Sequence, residues 1–171
     1  AYYEFSGITA KDLVCKYDNI LISRTMSKAF GLANFRIGYL VASAENVQFV
    51  NRVRNPKNIS TIAQVAAEAA LEDKAYMQSY VRQVLEGKSY IQQELKKIPN
   101  VEFCDGYGNF LLLKLQSYEE KVALISYLSE HGIFVRDTMQ SPIVYNCFRI
   151  TCGTKSQMER VVNVIKAFYE Q

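Results

Sequence analysis

Thr25, Ser27, Lys28 and Arg36 stand close together in one short stretch of the chain. Two hydroxyls and an arginine fork offer the convergent donors that hold a phosphate. A lysine kept among cations has its pKa depressed, which favours the free amine needed to condense with a carbonyl. A solvated turn with a few exposed bases uses the same residues, and spacing alone leaves both readings open. Thr25-x-x-Lys28 also loosely echoes the Ser-x-x-Lys nucleophile motif, but the companion motifs of that set are missing.

A frame must position those side chains. Asn19–Ser23 and Ile37–Ala42 are short, branched apolar runs that read as buried strands flanking the polar segment. A loop of hydroxyls and bases between two such strands suits a site built at a sheet edge. Glu45–Val53 reads as a helix stopped by Asn55-Pro56. Ser60–Leu71 reads as a second helix, N-capped by Ser60. From Asp73 to Ile98 the spacing of Tyr76, Tyr80, Val84, Leu85, Tyr90, Ile91 and Leu95 predicts a long helix closed by Pro99. Such a helix, about 26 residues and roughly 39 Å, can join two domains, with Gly87 marking a bend.

After Pro99 the texture shortens. Strands are predicted at Val101–Phe103, Phe110–Leu115, Ile133–Arg136 and Cys147–Thr151, and helices at Tyr118–Glu130 and Lys155–Tyr169. His131-Gly132 reads as a helix C-terminus with a left-handed glycine, so the lone histidine is a capping residue. Residues 1–76 then form an α/β piece and residues 77–171 a small α+β domain, linked through the helix at about 73–98. Two or three strands make too small a sheet to bury both faces, which suggests further sheet upstream.

Composition narrows the class. The 171 residues are 49% hydrophobic and 22% charged, which excludes disordered and collagen-like chains. Lys+Arg 20 against Asp+Glu 17 leaves a net charge of +3, too mild to argue for nucleic acid or an anionic membrane. No apolar run approaches a membrane span. Cys15, Cys104, Cys147 and Cys152 lack CxxC spacing and there is one histidine. That argues against a zinc site and for reduced thiols in the cytoplasm. The chain opens on Ala1 rather than Met, as a fragment would.

The run SRTMSKAFGLANFRIGY closely resembles the lysine segment of fold-type I, pyridoxal-phosphate-dependent aminotransferases of the histidinol-phosphate branch, R-T-x-S-K-A-[FY]-x-L-A-G-x-R-x-G-[YF]. The resemblance extends over the whole chain. RNPKNISTIAQVAAEAALED is similar to the helical region that follows, GNFLLLKL and GIFVRD to small-domain strands, and FRITCGT to the terminal R-[IV]-T-x-G-T signature. AYYEF resembles the end of D-E-A-Y-x-E-F. The fold implied is α/β: the end portion of the large domain, a partial mixed or parallel sheet with helices, plus a small C-terminal α+β domain.

By this resemblance, Lys28 would carry pyridoxal 5'-phosphate covalently and act as general acid and base. Arg36, Thr25 and Ser27 would hold its phosphate. Tyr2 would hydrogen-bond its phenolic oxygen, with Tyr3 as the one-residue-slip alternative. Arg149 would grip the substrate's α-carboxylate, Arg136 would face the substrate's phosphate, and Asn109 would lie near the substrate pocket or simply pack at a strand end. Without the family, surface ion pairing is the simpler use of both arginines. Asn34 departs from the family's glycine, and asparagine is expected to keep the left-handed turn there. Cys147 and Cys152 read as small core residues.

The activity implied is transamination of an amino-acid or amino-alcohol phosphate, by a cytoplasmic homodimer with small-molecule substrates and no nucleic-acid or membrane partner. A threonine-phosphate decarboxylase and an aromatic aminotransferase are alternatives within the family. A noncatalytic assembly module with the same fold is the alternative outside it. The aspartate that pairs with the cofactor's ring nitrogen would lie upstream of Ala1, so the chain alone is expected to be inactive or nearly so.

Overall fold

The computed structural model describes residues 1–57, 59–138 and 142–170. Two compact units follow one another, Ala1–Val81 and the residues from Arg82 onward.

The first unit opens with a single helical turn, α1 (Tyr3–Ser6), closed by Gly7 at φ 68°. Strands β1 (Ile22–Thr25) and β2 (Gly38–Val41) pair antiparallel, from Ile22 opposite Val41 to Thr25 opposite Gly38. This pair is therefore antiparallel rather than parallel. It differs from expectation in burial: Ser23, Tyr39 and Val41 are exposed. A two-stranded ribbon cannot shield both of its faces, and β-branched side chains alone do not make a strand buried. Helix α2 (Ala44–Val53) starts at Ser43, whose hydroxyl accepts the Asn46 N–H, and α3 (Thr61–Glu72) starts at Ser60, which accepts the Ala63 N–H.

Helix α4 (Lys74–Leu95) begins with the Asp73 carboxylate accepting the Tyr76 N–H. It ends three residues before the expected Ile98, because Lys97 and Ile98 bond back three residues in a tighter turn ahead of Pro99. Gly87 has a use other than bending. A Cβ there would lie 2.2 Å from the Gly153 carbonyl, so the glycine lets α4 approach the loop after the last strand.

The second unit is a four-stranded antiparallel sheet in the order β3 (Glu102–Cys104), β4 (Phe110–Lys114), β6 (Cys147–Thr151), β5 (Arg136–Asp137). Strand alternation sends Leu111, Leu113, Phe148 and Ile150 into the core. There they join Leu124 and Leu128 of α5 (Tyr118–Glu130) and Val162 and Ile165 of α6 (Lys155–Tyr169). A capping box at Thr154 and Gln157 starts α6 directly after β6. Strand β5 is shorter than the sequence suggests. Gly132, at φ 70°, and Ile133 donate their N–H groups to Ser129 and Leu128, closing α5. The start of the predicted strand is thereby spent on a helix terminus.

Candidate functional site

Strand β1 delivers Thr25 to the start of a tight loop. Its hydroxyl donates to Ser27 Oγ at 2.9 Å and accepts the Ser27 N–H at 3.1 Å. The loop folds on itself through Gly31 N–H to Lys28 O and Leu32 N–H to Met26 O, both 3.0 Å. Met26 and Ala29 are buried beneath it, which leaves Lys28 exposed on the outside. Its Nζ lies 5.9 Å from the centre of the Tyr2 ring.

The two tyrosines at the N-terminus have different neighbours. Tyr2 is the one beside Lys28, whereas the Tyr3 ring lies 3.7 Å beneath the Arg24 guanidinium. Arg24 was missed as a candidate, although it stands in the same R-T-x-S-K run. Its Nη2 donates to Thr9 Oγ1 at 2.7 Å, while its Nη1 is buried with no partner among the described residues.

Arg36 follows a 3-10 turn, Ala33–Phe35, and adopts the left-handed conformation at φ 52°. The expected left-handed residue, Asn34, sits inside that turn instead. The strain thus falls on a phosphate candidate rather than on a spacer, at an order of 1 kcal/mol. The guanidinium donates to Ala33 O at 2.9 Å and remains exposed. Met26 N–H bonds to Ile37 O, one step past the β1·β2 ladder, which draws the chain at Arg36 toward the Ser27 end of the loop.

In the second unit, Arg149 sits between the buried Phe148 and Ile150, so its side chain emerges on the sheet face opposite the core. Arg136 is its direct partner across the β5·β6 pair. Like charges in facing positions are unfavourable unless something negative lies between or above them. The Arg149 guanidinium lies 5.1 Å from the Phe110 ring centre, and its Nε is buried without a partner among the described residues. Asn109 acts here through its backbone: its carbonyl accepts the Cys152 N–H at 2.8 Å and extends the β4·β6 ladder.

The remaining candidates are structural. His131 caps α5, with Nδ1 2.8 Å from Tyr127 O and its ring against Tyr127. Cys147 and Cys152 are buried, and burial pushes the Cys152 thiol up to about 11, so it stays protonated. Among the described residues no three His, Cys, Asp or Glu side chains cluster to hold a metal. No helix among them is long and apolar enough to cross a membrane.

An amine held outward beside a phenol, next to a loop of hydroxyl and guanidinium donors, suits an aldehyde cofactor that carries a phosphate. The orphaned Arg24 Nη1 fits such a requirement for anionic company. Comparison narrows the class: the chain matches the aminotransferase class I and II family over residues 1–165 and belongs to it. The residues present fit pyridoxal 5'-phosphate, the group held in one solved structure of similar fold. A dihydroxyacetone phosphate transaminase of Campylobacter jejuni is 40% identical over 98% of this chain and 45% of its own length. The histidinol-phosphate aminotransferase of Ruminiclostridium cellulolyticum is 39% identical over 92% of this chain and 43% of its own. Among solved structures, the histidinol-phosphate aminotransferase of Sinorhizobium meliloti in complex with pyridoxal-5'-phosphate superposes with a TM-score of 0.82 at 26% identity. It covers 98% of this chain and 48% of that one. The chain therefore spans about half the length of the curated relatives it matches.

Proposed function

We propose that the complete protein catalyses transamination of a small amine or carbonyl compound bearing a phosphate. The observation that carries this reading is the facing pair Arg136 and Arg149, two arginines in register on the sheet face opposite the core. Such a pair is relieved by an anion, and arginine forks match phosphate and carboxylate oxygens in two-point contacts. Both relatives named above act, by name, on phosphate-bearing compounds.

In this reading Thr25, Ser27 and Arg36 hold the cofactor phosphate, and Tyr2 donates to its ring oxygen. Lys28 anchors the cofactor, then uses its free Nζ to remove and return the proton on the nitrogen-bearing carbon of the substrate. The bound cofactor supplies the electron sink. Arg149 takes a carboxylate and Arg136 the phosphate, with Asn109 nearby. The active form is a homodimer in the cytoplasm, which sedimentation of the complete protein checks for mass. The 171 residues alone are inactive or nearly so.

The test is turnover by the complete, cofactor-loaded protein with histidinol phosphate or dihydroxyacetone phosphate, alongside phosphate-free and aromatic analogues. Preference for the phosphate-bearing compounds, lost in Arg136→Gln, is expected. Release of carbon dioxide from threonine phosphate without amino transfer defeats the reading in favour of a decarboxylase. Absence of any turnover leaves the fold as a noncatalytic module.

A further inference from the structure

Helix α5 contains a side chain that its pattern does not ask for. Its buried positions are Lys121, Leu124 and Leu128, spaced as one apolar stripe. A leucine would suit the first of them, yet a lysine stands there with its side chain 0% exposed. Removing an ammonium from water is costly unless it is paired, and a well-packed apolar replacement is often no less stable. The lysine therefore calls for an explanation other than stability alone.

Its partners supply one. Lys121 Nζ donates to Asp137 Oδ1 at 2.8 Å and lies 4.6 Å from the Tyr118 ring centre. Asp137 is one of only two residues in β5, and the other is Arg136. Across the sheet Asp137 faces Phe148, on the core side, while Arg136 faces Arg149, on the open side. A slip of one residue exchanges these faces and turns Arg136 toward the core. The chain beyond is tied by Thr138, whose hydroxyl lies 2.8 Å from Val144 O and 2.6 Å from Cys147 O.

We propose that Lys121 is a positioning residue for anion recognition: by holding Asp137 on the core side of β5, it fixes the register that sets Arg136 opposite Arg149. This rests on the reading of Arg136 as the phosphate contact. A cation at this place in α5 makes the core-facing carboxylate acceptable, so the strand stays in the one register that points Arg136 outward. Strand β5 is too short for its ladder bonds to do this unaided.

The test uses the complete, cofactor-loaded protein and compares Lys121→Met, Lys121→Gln and Arg136→Gln. For each, KM is measured for histidinol phosphate, dihydroxyacetone phosphate and a phosphate-free acidic amino acid, together with kcat and the cofactor absorbance band. Lys121→Met is expected to raise KM for the phosphate-bearing compound turned over by about tenfold, while kcat and the phosphate-free KM change by less than about threefold. Lys121→Gln also removes the cation and is expected to raise that KM in the same direction. If Lys121→Met does not fold, Asp137→Asn, at an exposed position, carries the same comparison. The inference fails if Arg136→Gln raises the phosphate KM and the Lys121 and Asp137 variants do not. It also fails if those variants lower kcat and raise every KM together, as a merely structural role would. If Arg136→Gln leaves the phosphate KM unchanged, the functional reading itself falls and the inference falls with it.

Discussion

The two units of the chain carry their candidate site residues on very different foundations. In residues 1–81 the buried apolar side chains are Phe5, Met26, Ala29, Ala63, Ala67 and Val81, three of them alanines, while Ile62 is 73% and Val65 60% exposed. From Arg82 on, Leu111, Leu113, Leu124, Leu128, Phe148 and Ile165 are all completely buried, with many more beside them. The second unit holds its arginines on a sheet with a finished core. The first holds its lysine on a tight loop whose order comes from local bonds: Thr25 to Ser27, Lys28 to Gly31 and Met26 to Leu32. A tightly bonded loop thus does not require a large local core. It does require that the loop's few anchors, Met26 and Ala29, stay covered.

The sharpest way to test this comparison is to disable each unit's chemistry in turn in the complete protein. Lys28→Ala is expected to abolish the cofactor absorbance band and lower turnover by more than about a thousandfold. Arg149→Gln is expected to leave the band intact and lower kcat/KM by about a hundredfold, the scale for losing one partner of a charged pair. Loss of the band in Arg149→Gln breaks the division of labour, because the second unit then contributes to cofactor binding itself.

Stability gives the next test, on the 171-residue chain. Leu113→Ala is expected to destabilise by roughly 2–5 kcal/mol, the cost of a cavity in a packed core. Ile62→Ala is expected to change stability by no more than about 0.5 kcal/mol, since its side chain is mostly in solvent. Denaturant unfolding measures both. A comparable loss at Ile62 shows that α3 has a cover after all and removes the contrast between the units.

The same contrast explains what the sequence could reveal. Helix α5, strand β6 and helix α6 are found at the predicted limits, because their hydrophobic periods, the Ser117 and Thr154 caps and the core they serve all agree. Where a residue's role depends on its neighbours, the pattern misleads. Ile133 looks like a strand residue but closes a helix. Asn34 looks like the left-handed residue, while Arg36 takes that conformation. Strands β1 and β2 look buried because branched residues suit a pleated surface whether or not anything covers it. Of the candidate site, Thr25 and Ser27 share one motif while Tyr2 and Lys28 come from two, and the structure sets each pair side by side. The exact facing of Arg136 and Arg149 is a matter of register between distant strands. Lys121 lay hidden because a charged residue in an apolar stripe reads as surface until its partner is seen.

The smallest expected effect concerns the link between α4 and α6 in the second unit. Glu94 accepts from Lys166 at 2.6 Å and from Lys97 at 2.5 Å. The bond from Lys166, then that from Lys97, holds its carboxyl below the ordinary 4.5. A carboxyl lowered in the folded state stabilises while it is ionised. The contribution is therefore present above the unfolded-state value and disappears as pH falls through the folded one. Glu94→Gln is accordingly expected to lower Tm slightly at pH 7 and to match the parent once both are measured well into acid. Because the pair sits near solvent, added salt should shrink the difference at pH 7 as well. Equal Tm deficits at both pH values show that Glu94 acts by packing rather than by charge. The stability of the second unit then rests on its apolar core rather than on this charge pair.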